Sequence, residues 1–151
     1  MTLRTGNTLA AACLAVFGSL TFASQEAVGN ERHERGVEVM DHLSGGAGQP
    51  VLEALREDYL FLAEGITQYA LGDVWGRSEL DDRTRQLAVI AAFAAQGNLQ
   101  YMKVHAGYAL RLGVTREELK EVVYLTTVTA GFPRAIDAAR ALREVPDPAS
   151  R

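Results

Sequence analysis

The stretch DDRTRQLAVIAAFAAQGNLQYMKVHAGYALRLGVTREELKEVV, Asp81 to Val123, decides the fold. Asp81 or Asp82 stands where a helix needs a side-chain oxygen to accept from its first unpaired N–H groups. The body that follows, Leu87 to Ala95, is apolar on every side, the pattern of a helix at the centre of a core. Gly97-Asn98 breaks it. A second helix is predicted from Leu99 to Leu112. It ends at Gly113, since glycine takes up the left-handed conformation that closes a helix. Thr115-Arg116-Glu117-Glu118 then reads as a capping box, in which threonine and glutamate each accept from the other's backbone N–H. Leu119, Val122, Val123 and Thr126 give the next helix one face, as far as about Gly131. Pro133 suits the first turn of a last helix through Val145, which Pro146 and Pro148 end.

Upstream, Val37, Met40 and Leu43 share one helical face, and Ser44-Gly45-Gly46 stops that helix. From Pro50, the residues Val51, Leu52, Leu55, Tyr59, Leu62 and Ile66 form a stripe at i, i+3/i+4 spacing that Gly72 should break. Gly72 to Arg77 reads as a loop. No segment alternates as a strand does. The expected fold class is therefore all-α, a single domain of five to six helices around a central apolar pair. The 151 residues suit one core, and 48% apolar with 23% charged residues excludes a wholly disordered chain.

Residues 1–23 have the order of a secretory signal: Arg4, the unbroken apolar run Leu9 to Phe17, then Gly18, Ser19 and Thr21-Phe22-Ala23. Cleavage is expected near Ala23, giving an exported protein, periplasmic or secreted. If the segment is not a signal, the chain stays cytoplasmic. The apolar run is too short for a permanent membrane span. Residues 24–145 would form the folded domain and 146–151 a C-terminal tail. The one cysteine, Cys13, lies in the leader. Cleavage would leave 14 basic and 19 acidic residues, a net charge of −5, and no thiol for a disulfide or a nucleophile. An acidic chain is a poor partner for nucleic acid. His33 and His42 do not have metal-ligand spacing, and Gly45-Gly46-Ala47-Gly48 is not followed by the Lys-Ser/Thr of a phosphate loop. His33 shares a stripe with Val37 and Met40 and should pack. Glu38 and His42 form an i, i+4 pair on a solvated face.

The segments Tyr69-Ala70-Leu71-Gly72-Asp73-Val74-Trp75-Gly76-Arg77 and Leu80-Asp81-Asp82-Arg83-Thr84-Arg85 carry a resemblance that continues downstream. There it runs through His105, Ala109 to Thr115, Glu117 to Val122, and Ala130-Gly131-Phe132-Pro133. In this order the chain resembles the carboxymuconolactone decarboxylase family, with Glu31 to Val37 similar to the first helix of the γ-carboxymuconolactone decarboxylase branch. The resemblance implies an alkylhydroperoxidase D-like helical fold and a homo-oligomer, trimer or hexamer. It also implies one of two chemistries. The first is decarboxylation of a small carboxylated lactone, which needs no cofactor and no metal. The second is peroxide-linked thiol chemistry at a Cys-x-x-Cys pair, which this chain lacks. Leu125 and Thr129 stand where the decarboxylases carry glutamine or histidine and then tyrosine, and Leu71 replaces an aromatic. A non-catalytic oligomeric binding protein on the same scaffold is the alternative from another class.

Decarboxylation leaves an electron pair that must flow to an acceptor such as a lactone carbonyl. The protein must hold the acid, steady the developing oxyanion and deliver a proton to carbon. His105 is the candidate proton donor, near the apolar edge of its helix. The competing reading is a core histidine bonded to a backbone carbonyl. Glu121 is the candidate carboxylate to orient His105, or else part of a solvated face or a subunit boundary. Trp75, Arg77 and Arg85 are candidates for substrate binding, the arginines through bidentate contact with a carboxylate. Trp75 otherwise anchors a core. Arg85, in a first helical turn, otherwise pairs with Asp81, Asp82 or Glu79.

Overall fold

The computed structural model describes residues 9–146, with side chains described from residue 27 onward. Arg4 of the expected leader, and the tail beyond Pro146, lie outside the described residues. The described backbone is all-α: α1 (Leu9–Ser44), α2 (Pro50–Asp58), α3 (Leu60–Glu64), a π-helical segment (Gly65–Trp75), α4 (Asp82–Gln96), α5 (Leu99–Arg111) and α6 (Arg116–Arg143). No helix among the described residues is long and apolar enough to cross a membrane. The chain divides into two compact units. One is the chain up to Val39 with Pro50–Gly76, and the other is Met40–Gln49 with everything from Arg77 onward.

In the first unit, α1 and the π-helical segment touch through two glycines. A Cβ on Gly36 would lie 1.9 Å from the Thr67 carbonyl oxygen, and one on Gly72 would lie 2.3 Å from the Arg32 carbonyl oxygen. Each glycine lets the other element's backbone approach where a side chain would collide. The Arg32 guanidinium then reaches Asp73 at 2.5 Å, and Arg35 lies 3.6 Å from the same carboxylate. His33 lies 3.2 Å from Glu64. The Gln68 amide is the main reason the Glu64 carboxyl sits below its ordinary range, and His33 adds to it.

Gly72 therefore does not break the helix. The expected loop from Gly72 is the last wide turn, closed by the Gly76 N–H donating to the Leu71 carbonyl at 2.9 Å. The upstream stripe is interrupted earlier, at Tyr59, whose φ of −133° separates α2 from α3.

The second unit follows the sequence closely. Asp81 is the N-cap of α4, accepting from the Thr84 N–H at 2.9 Å. α4 and α5 end alike. Gly97 and Gly113 have φ of +75° and +82°, and the N–H groups of Asn98 and Val114 donate to the carbonyls of Phe93 and Ala109 at 2.9 Å. The capping box at Thr115 and Glu118 is present in both directions. Ile90, Ala94, Met102, Ala106, Ala109, and Leu119 are all fully buried in the core these helices share. α4 packs on both α5 and α6, but it is not buried all round: Ala88 and Ala92 are exposed.

Gly131 interrupts α6 with φ 83° and ψ 167°. A straight helix would hold Arg116 and Leu142 about 39 Å apart. Instead the Arg116 guanidinium donates to the Leu142 carbonyl at 3.0 Å. α6 is thus two arms folded back on one another at Gly131-Phe132-Pro133, the junction expected from the glycine and proline.

Candidate functional site

α4 presents Gln86, Ile90 and Ala94 to the interior at i, i+4 and i+8. Two of these are apolar. The third is a glutamine with no exposed surface. Its Oε1 lies 2.9 Å from Nδ1 of His105 on α5. An amide oxygen only accepts, so Nδ1 carries the hydrogen and donates, and Nε2 keeps its lone pair. Among the described residues the Gln86 Nε2 has no hydrogen-bond partner.

Aromatic rings enclose the imidazole. Phe93 stacks on it in a tilted arrangement with centroids 5.4 Å apart, and Tyr108 meets it edge-on at 5.8 Å. The Tyr108 hydroxyl accepts from the Gln49 amide at 3.1 Å, and burial pushes its pKa up. Burial also pulls the His105 imidazolium down from 6.5 to about 4. At neutral pH His105 is therefore a neutral ring with one nitrogen committed to Gln86.

The other expected site residues are placed as follows. Glu121 is exposed on the first arm of α6. The side chain within hydrogen-bonding distance of His105 Nδ1 is Gln86, so a neutral amide holds the orienting position expected for a carboxylate. Arg85, next to Gln86 on α4, donates to the carbonyls of Arg77 at 2.7 Å and Leu80 at 3.0 Å. It ties down the segment before α4 through these backbone oxygens. Arg77 is exposed and lies 3.6 Å from Glu79. Trp75 is half-buried at the end of the π-helical segment, in the first unit. Leu125 is 63% exposed and Thr129 is exposed too. His42 lies 3.0 Å from Asp82, not with Glu38. Among the described residues, no three His, Cys, Asp or Glu side chains gather as a metal site would need.

Gln86 is the residue that sequence reasoning missed. Its signal was a polar side chain one turn before Ile90 and two before Ala94, on the face the apolar pattern assigns to the core.

The helices that carry these residues fall within a stretch shared with known proteins. Residues 62–144 match the carboxymuconolactone decarboxylase family. The chain is 31% identical over 116 residues to the 4-carboxymuconolactone decarboxylase of Acinetobacter baylyi, covering 76% of this chain and 87% of the relative. It is 32% identical over 122 residues to the nitrosuccinic acid decarboxylase npaB of Metarhizium robertsii, covering 76% and 84%. An uncharacterized protein of Methanocaldococcus jannaschii, MJ1511, is 30% identical over 73 residues, 48% of this chain and 68% of that one. The chain belongs to the carboxymuconolactone decarboxylase family.

Proposed function

We propose that this protein is a cofactor-free decarboxylase of a small acid whose carboxyl group lies next to an electron sink, a carboxylated lactone being the leading case. The observation that carries the reading is the neutral, aromatic-walled His105 fixed by the buried Gln86. Two relatives support the substrate class by their names. One acts on a lactone acid and the other on a nitro acid. In both, the electron pair left by carbon dioxide has an acceptor oxygen to reach, the lactone carbonyl or the nitro group.

The proposed sequence begins with an anionic substrate seated beside His105. Negative charge in a poorly solvated site favours imidazolium, so Nε2 takes up a proton on binding. Carbon dioxide leaves and the electron pair moves to the acceptor oxygen. The imidazolium Nε2–H steadies that oxygen and then delivers its proton to carbon, returning the ring to neutrality. Gln86 Oε1 holds the ring through Nδ1–H in both states. Arg77, whose exposed contact with Glu79 is weak, is the proposed cation for a carboxylate. Arg85 keeps its carbonyl bonds and shapes the segment that carries Arg77.

We further propose self-association, as a trimer or hexamer. Leu125, Val128 and Phe132 on α6 are 63%, 83% and 71% exposed. Apolar surface of that extent on one helix is the mark of an interface. Glu121 lies on this same arm and is assigned to that interface, where a second copy would cover it.

The test is a panel of lactone acids and nitro acids assayed for carbon dioxide release with the metal-free protein. Release that is saturable in substrate supports the reading. A binding protein on the same scaffold would bind members of the panel and release nothing.

A further inference from the structure

We propose that the cavity between the two arms of α6 is a second binding site, separate from His105, for an organic carboxylate with an apolar body. Its volume is about 390 Å³, within the range of small-molecule sites. Val123 and Leu142, each 6% exposed, contribute its apolar surface. Arg116, Lys120 and Arg143 bring three cations to its wall, and Tyr124 adds a ring that is 60% exposed. Among the described residues no acidic side chain lines it, although the whole chain has a net charge of −4.

The arrangement follows from the reversal at Gly131. Arg116 and Lys120 are one turn apart on the first arm, and the fold brings Arg143 of the second arm to the same cavity. The Arg116 guanidinium is fixed by its bonds to the carbonyls of Leu142 and Val145. Lys120 contacts Glu117 at 2.5 Å, a pair open to solvent on both sides. Such a pair is worth little and yields readily to a better-placed anion. Lys120 and Arg143 at the wall of the concavity favour an anionic ligand over a neutral one. A bare anion would leave Val123 and Leu142 wet. An alkyl or aromatic body covers them and adds the hydrophobic gain. The carboxylate head meets the guanidinium groups, whose paired N–H donors match its two oxygens. Neither His105 nor Gln86 lines this cavity, so an acid held here is not turned over.

Calorimetric titration of the full chain tests the assignment. The probes are octanoate and benzoate, with inorganic phosphate as the head alone and benzyl alcohol as the body alone. Both acids should bind saturably and at least about tenfold more tightly than either control. A Lys120→Gln, Arg143→Gln double variant changes two solvent-facing side chains and leaves Arg116 in place. It should melt as the parent does and bind the acids about tenfold more weakly or worse. His105→Ala should bind them as the parent does. Acids binding no better than benzyl alcohol or phosphate would overturn the proposal. So would an affinity unchanged in the double variant, or one lost with His105.

Discussion

Nδ1 of His105 and Oε1 of Gln86 are 2.9 Å apart, and the amide that makes this contact is fully buried. The pairing joins α5 to α4 and commits one nitrogen of the ring.

Gln86 acts through His105, and two substitutions separate positioning from packing. Gln86→Glu puts a carboxyl group against Nδ1 and should raise the imidazole titration above its value of about 4. Proton resonances of the ring followed against pH read this directly. Gln86→Leu removes both the acceptor and the unpaired amide nitrogen. It leaves the His105 Nδ1–H without its acceptor, so it should lose about 1–3 kcal/mol of stability, while turnover of the folded protein falls about tenfold to a hundredfold. An unmoved histidine titration in the glutamate variant would remove Gln86 from this role.

Stability should fall with acid through a specific window. The folded His105 holds its proton less tightly than the unfolded chain does, with a pKa of about 4 against 6.5. As pH drops below 6.5, the unfolded state takes up the proton first, and stability is lost until about pH 4. The gap corresponds to about 3 kcal/mol, all of it present above pH 6.5. Urea unfolding at neutral and acid pH measures it. His105→Phe should flatten that part of the profile, and an equal acid loss in parent and variant would contradict the assignment.

The glycine contact in the first unit makes a sharp prediction. A Cβ on Gly36 would meet the Thr67 carbonyl oxygen at 1.9 Å. Backbone atoms cannot rotate away as a side chain can. Gly36→Ala should cost about 2 kcal/mol or more. Gly29→Ala is the control, since a Cβ there meets nothing within 4 Å. Equal melting temperatures for the two variants would count against the close approach.

Much of the second unit was legible because its signals are local. Asp81, the Thr115–Glu118 box, Gly97, Gly113 and the Gly131–Pro133 break each act within a turn of where they stand. The membership of the family was legible for the same reason, its blocks being capped helix ends around His105. What escaped depends on partners far along the chain. Gly72 looks like a stop until Arg32 packs on it. His33 and His42 take Glu64 and Asp82 as partners, residues that no spacing rule connects to them. Arg85 finds carbonyls because the segment before α4 curls over it. Gln86 looked like an ordinary helix-former, although its place one turn before Ile90 already put it on the inner face.

Self-association is tested on the exposed arm of α6. Light scattering should give a multiple of the 16.4 kDa chain, or of its processed form. Val128→Glu changes a residue that is 83% exposed and so should leave the subunit folded. The charge would be buried unpaired in the assembly and should dissociate it. A parent that is monomeric at micromolar concentration, or a variant that assembles unchanged, would refute the interface.

The central claim is that His105 does chemistry. The direct measurement is carbon dioxide release by the parent, His105→Ala and His105→Gln, on 4-carboxymuconolactone and on nitrosuccinic acid, with folding of each variant checked by its melting curve. The account predicts release by the parent on at least one acid, and a loss of about a hundredfold or more in folded His105→Ala. Glutamine should rescue little, because it donates a hydrogen bond but does not carry the proton to carbon. Full turnover by the folded alanine variant, or no release from either acid by the parent, would contradict it.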